Sequence, residues 1–106
     1  MNHKDFDKIV EIRCKKIVTV LSSKAKEYAS GADRLHNFKI AAAAKGETPE
    51  KALWGMYMKH WVSIQDMVND PDTINPKVMD EKIGDAVNYH ILLEALFIDR
   101  LRMKSG

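Results

Sequence analysis

The sequence predicts an all-α protein, a four-helix bundle folded as a single domain over residues 1–106. Three observations carry this: apolar residues recur at spacings of three and four, no segment alternates with a period of two, and most glycines and prolines fall where helices should begin or end. Four antiparallel helices with short connections are the economical way to cover such stripes.

The first helix is predicted from about Asp5 to Ala29. Phe6, Ile9, Val10, Ile17, Leu21, Ala25 and Tyr28 form its apolar stripe, with Asp5 as cap and Gly31 as stop signal. Lys8, Lys15, Lys16, Lys24 and Lys26 lie on its outer face and read as a solvated surface. A short second helix is predicted from Asp33, its natural cap, to Lys45. Leu35, Phe38 and Ile40 anchor it, and Gly46 ends it. Thr48-Pro49-Glu50 combines a capping hydroxyl, a proline at the first helical position and an acid, which starts a third helix reaching about Asn69. Its inward side is read as Leu53, Met56, Tyr57, Trp61, Ile64 and Met67 or Val68. Residues 70–76 contain two prolines and read as a loop. A fourth helix is then predicted from Pro76 or Lys77 to about Arg102, apolar nearly all round from Ile91 to Ile98.

Composition narrows the class. Hydrophobic residues at 45% and charged residues at 30% argue against disorder. The formal charge of +2 is too small to point to nucleic acid. A lone cysteine, Cys14, forms no intramolecular disulfide. A reduced setting is expected, with Cys14 a small buried hydrophobe rather than a reactive thiol. Met1 to Asp7 lacks an apolar stretch of signal-peptide length, and no run approaches the roughly 20 apolar residues of a membrane span. A cytoplasmic protein is expected. So is a homo-oligomer, because a chain this short buries a limited share of its own surface.

Chemistry is suggested by three segments. Glu81, Asp85 and Asn88 lie at i, i+4 and i+7, stacked on one face of the fourth helix, and that face continues into Leu92 and Leu96. Inward carboxylates must be paired or bind a metal, and oxygen ligands of this kind suit Mg²⁺ or Mn²⁺ bridged to phosphates. Spacing alone favours the other reading, a salt bridge to Lys59, Arg34 or Lys82. The third helix offers Lys59, Ser63 and Asp66, again at i, i+4 and i+7, beside His60. Asp66 is a further candidate metal ligand, Lys59 a phosphate contact and His60 a substrate contact. Asp33 caps a helix whose first amides favour an anion, Arg34 adds a bidentate charge, and Asn37 lies one turn on. The histidines are too dispersed for a recognisable zinc pattern, and no glycine-rich phosphate loop is present.

Tyr28…Asp33-Arg34-Leu35-His36-Asn37-Phe38, Trp54-Gly55-Met56…Lys59-His60…Ser63-Ile64…Asp66 and Glu81-Lys82-Ile83-Gly84-Asp85-Ala86-Val87-Asn88-Tyr89 together resemble a family of small phage and prophage proteins. That family looks distantly similar to the MazG-like all-α nucleoside triphosphate pyrophosphohydrolases. The resemblance spans about Tyr28 to Leu96. It implies an oligomeric helical bundle that binds a nucleotide or other phosphorylated small molecule through carboxylate-held Mg²⁺ (or Mn²⁺), with cleavage to monophosphate and pyrophosphate. Glu81 and Asp85 match the carboxylates of the later helix, and Asn88 a nearby polar contact. Two departures stand out. The earlier helix offers Asp66 where the enzymes carry a glutamate-rich motif, and the later pair is spaced i, i+4 rather than i, i+3. A non-enzymatic interaction module acting on a host protein is the alternative that the resemblance leaves open.

Overall fold

The computed structural model describes residues 1–24 and 33–105. Among these the chain is helical and contains no strand, as the periodicity predicts. It divides into two compact units, Met1–Ala32 and Asp33–Gly106. No described helix is long and apolar enough to cross a membrane.

The first unit holds α1, His3–Val18, continued by a π-helical turn over Thr19–Lys24. Its cap is Asn2 rather than Asp5: the Asn2 side-chain oxygen accepts the Asp5 amide at 2.8 Å, which leaves Asp5 inside the positive first turn. The α-helix stops at a β-branched run, Val18-Thr19-Val20, where the Thr19 hydroxyl donates to the Lys15 carbonyl at 3.0 Å. Crowded side chains and a competing hydroxyl both favour the wider π turn. The apolar stripe is present, yet α1 has no buried residue, and Phe6, Ile9 and Val10 are each about half exposed. Cys14 is exposed too, contrary to its reading as a buried hydrophobe, because the stripe it shares is uncovered. Ala25, Lys26, Tyr28, Ala29 and Gly31 lie outside the described residues.

The second unit holds α2 (His36–Lys45), α3 (Pro49–Asn69), a 3₁₀ turn over Pro71–Thr73 and α4 (Pro76–Ser105). The second helix starts three residues later than predicted. Asp33 spends one carboxylate oxygen on the Leu35 amide (2.9 Å), making a turn that precedes the helix instead of capping it. Gly46 closes α2 in the left-handed region at φ 66°, and the Glu47 amide reaches back to the Ala42 carbonyl at 2.9 Å. Only a residue without Cβ adopts that conformation at no steric cost. Thr48 and Pro49 start α3 as expected, with the Thr48 hydroxyl accepting the Lys51 amide. Asn75 starts α4 by accepting the Lys77 and Val78 amides.

α3 and α4 run antiparallel. Contacts advance along one helix as they retreat along the other, from Glu50–Arg100 through Tyr57–Tyr89 to His60–Asp85. Leu53 and Leu96 are the fully buried large side chains, and Leu35 brings the start of α2 onto them. Phe38, Tyr89, Leu92, Leu93 and Ala95 pack around this centre. Trp61, predicted inward, is 44% exposed; of the alternatives Met67 and Val68, Met67 is the half-buried one and Val68 is 70% exposed. His60 takes the inward position instead, because seven residues from Leu53 bring it within about 20° of the buried face, whereas Trp61, eight residues on, is turned by about 80°. The apolar C-terminal half of α4 divides likewise: Leu96 is buried, whereas Phe97 and Ile98 are exposed.

Charges clamp both seams of this unit at its α2 end. Arg100 reaches the Glu50 carboxylate through Nε and Nη2, the shortest contact being 2.7 Å. Lys39 bridges Asp33 at 2.7 Å and Asp99 at 3.1 Å, tying α2 and the turn before it to α4. The hydrogen bond from Lys39, and then that from the Leu35 amide, hold the Asp33 carboxyl below its ordinary range. Asp33 and then Asp99 raise the Lys39 ammonium.

Two outcomes are expected. Leu53→Ala empties a filled site at the meeting of three elements and lowers stability by about 2–5 kcal/mol, read from urea unfolding. A loss below about 1 kcal/mol would place the core elsewhere. The lowered Asp33 carboxyl stabilises the fold above its ordinary value of about 3.9 and loses that contribution as pH falls through the lowered value. Lys39→Met therefore flattens the acid limb of stability below about pH 4. Denaturation curves at several acid pH values that superpose for variant and wild type would contradict this.

Candidate functional site

The polar face of α4 passes from solvent into the core. Glu81 is exposed, Asp85 half-buried, and Asn88 places its side-chain oxygen out of reach of solvent. Asp85 and Asn88 are one turn apart and share a side of the helix. Across the hairpin seam stands His60, whose side chain is only 13% exposed, with Nδ1 3.5 Å from Asp85 Oδ2. That separation exceeds the N–H···O range of about 2.7–3.2 Å. Both His60 Nδ1 and Asn88 Oδ1 are buried without a hydrogen-bond partner. Orphaned polar atoms of this kind each cost about 1–3 kcal/mol, so they call for an explanation.

Aromatic packing holds the histidine. Its ring lies 5.1 Å from Tyr89, tilted by 38°, and Tyr89 packs at 5.8 Å on Tyr57. Burial, and secondarily the Asp85 charge, raise the Tyr89 phenol above its ordinary value, so it keeps its proton beside the carboxylate. His90 offers a contrast within the same hairpin. Its Nδ1 lies 2.8 Å from the Ala86 carbonyl, and its ring meets Tyr57 edge-on at 5.0 Å. One histidine of this hairpin is satisfied at Nδ1, and the other is not.

The remaining predicted residues are spread along the hairpin. Asp66 is exposed and lines a cavity of about 480 Å³ at the α3–α4 connection, with Asn69, Asp70, Thr73, Asn75 and Val78. Lys59 is exposed on the side of α3 away from the seam, and its carbonyl accepts the Ser63 hydroxyl at 3.1 Å. Asp33 meets α4 through Lys39 and Asp99, and from Asp85 to Asp99 the helix rises about 21 Å at roughly 1.5 Å per residue. Arg34 and Asn37, exposed beside Asp33, belong to that far end. Among the described residues no three His, Cys, Asp or Glu side chains group in a way that could hold a metal ion, so Glu81, Asp85 and Asp66 are not gathered around one point. The side chain standing across the seam from Asp85, 3.5 Å away, is His60, a neighbour that spacing within α4 did not suggest. His60 is a substrate-contact candidate in the sequence, but its place opposite Asp85 is not legible there, because Trp61 takes the inward position in the expected stripe.

Chemically the site offers the Asp85 carboxylate, the His60 imidazole across the seam and the Asn88 side-chain oxygen one turn along α4, the last two without a hydrogen-bond partner. The carboxylate and the amide oxygen accept, and the imidazole nitrogen accepts in the tautomer that carries its proton on Nε2, so the set suits a cation or a proton-donating ligand rather than a bare anion. No family model, characterised protein or solved structure matches the chain.

If the buried Asn88 oxygen is kept for a ligand, its removal helps the empty protein. Asn88→Leu is expected to raise the stability of the ligand-free chain by about 1 kcal/mol, the cost of the orphaned acceptor. A melting temperature below that of wild type would show that Asn88 serves the fold instead.

Proposed function

We propose that the α3–α4 seam binds a nucleotide or related phosphorylated small molecule through a divalent cation, Mg²⁺ or Mn²⁺, centred on Asp85. The observation that supports this reading is the orphaned Asn88 oxygen one turn from a half-exposed carboxylate. An unpaired buried acceptor beside a carboxylate is what a cation site requires and what a finished salt bridge lacks. Mg²⁺ is commonly held by one or two carboxylates, with waters and substrate phosphates completing its shell. Asp85 and Asn88 supply that protein share, and exposed Glu81 lies one turn before them.

The ion, when bound, neutralises phosphate charge. The chain's own residues position and exclude: Tyr89 and Tyr57 wall the site from water on the core side, and Asn88 orients a ligand oxygen or water. Lys59, next to His60 in sequence but turned to solvent, provides a positive charge for phosphate. Arg34 and Asn37 would join it only across the length of the hairpin. Hydrolysis of nucleoside triphosphates to monophosphate and pyrophosphate is the reaction that the family resemblance suggests for the same face.

A second reading, a non-enzymatic helical module acting on a host protein, draws support from α1. Its Phe6, Ile9 and Val10 share one helical face and are each about half exposed. The two readings part at Asp85. Under the first, nucleoside triphosphate with Mg²⁺ raises the melting temperature of wild type, as ligand binding to the native state must. Asp85→Ala, checked for fold by circular dichroism, abolishes the rise. No shift with any of a panel of nucleotides removes this reading, whereas association with a host protein that survives Asp85→Ala favours the second.

A further inference from the structure

We infer that His60 Nδ1 is a metal ligand alongside Asp85 Oδ2 and Asn88 Oδ1, so that the seam prefers a nitrogen-accepting divalent ion such as Mn²⁺ or Zn²⁺ over Mg²⁺. The inference rests on the cation reading of Asp85 given above and deepens it, because it names a ligand and an ion class that the carboxylate spacing does not contain.

Distance is the first support. At 3.5 Å, His60 Nδ1 and Asp85 Oδ2 are too far apart for a good hydrogen bond. Two ligand atoms each about 2.1 Å from one ion are separated by at most about 4.2 Å, and the observed gap lies within that reach. Satisfaction is the second support. His60 Nδ1 and Asn88 Oδ1 are the buried side-chain atoms that lack partners among the described residues; the first faces Asp85 across the seam, and the second belongs to the residue one turn along α4 from Asp85. His90 shows that the hairpin can satisfy an imidazole with a carbonyl one turn back, so the open valence at His60 is not a general property of this packing. Orientation is the third. Stacking on Tyr89, itself held by Tyr57, fixes the His60 ring with Nδ1 toward Asp85, as a preorganised ligand requires. Imidazole suits Zn, Mn and later first-row ions, whereas Mg²⁺ takes oxygen.

The test uses the full chain without nucleotide. Isothermal titration with MnCl₂, ZnCl₂ and MgCl₂ is expected to give Mn²⁺ and Zn²⁺ affinities at least about tenfold above that of Mg²⁺, following the order of nitrogen-containing sites. His60→Phe, which keeps an aromatic ring on Tyr89, loses this preference, so that Mg²⁺ binds about as tightly as Mn²⁺ and Zn²⁺, while the nucleotide-with-Mg²⁺ thermal shift is read on wild type. Asp85→Asn loses both. In ¹⁵N-labelled protein, Zn²⁺ shifts the His60 Nδ1 resonance and leaves that of His90 in place. No binding of Mn²⁺ or Zn²⁺ to wild type, unchanged preference in His60→Phe, or an unmoved His60 resonance overturns the inference. If the nucleotide shift persists in any of those cases, the parent reading stands without it; if Asp85→Asn leaves the shift intact, the parent reading falls.

Discussion

Leu53 of α3 and Leu96 of α4 are both almost completely buried, and their meeting sets the register of the antiparallel hairpin. Register matters because helical side chains repeat every 3.6 residues, so a slip of one position turns a face by about 100°. With Leu53 level with Leu96, Tyr57 falls against Tyr89 and His60 against Asp85. Moved by one residue, the seam would present Trp61 to the carboxylate and His60 to solvent. The polar site is thus a consequence of core packing several turns away.

The two ends of the seam serve different ends. Near α2 the charges are finished: Arg100 is engaged with Glu50, and Lys39 with Asp33 and Asp99. These pairs are exposed and contribute modestly, but they hold the helices against sliding where Leu35 covers the core. In the middle of the hairpin the polar groups are unfinished: His60 Nδ1 stands 3.5 Å from the Asp85 carboxylate, and neither it nor the buried Asn88 oxygen has a hydrogen-bond partner. A small domain bears few such costs, and sites that keep them commonly trade stability for binding.

α1 poses a separate physical question. It carries an apolar stripe of helical period, yet among the described residues it buries none of it. The π turn at Thr19–Lys24 interrupts the regular period of that stripe beyond Val18.

Local signals in the sequence determined most element boundaries: Thr48-Pro49 started α3, Gly46 closed α2, and Pro76 opened α4, because capping and φ restriction act within a few residues. The same logic missed Asn2, which lies before the apolar pattern, and gave Asp33 a cap's role where it makes a turn. Periodicity also placed Asp85 and Asn88 on one face of one helix. Which residue stands opposite that face was decided only by tertiary structure. Spacing within a helix holds no information about the register of its neighbour, so Lys59 and Asp66 looked as suitable as His60. The buried pair Leu53 and Leu96 settled the matter by turning His60 to the seam and Lys59 to water.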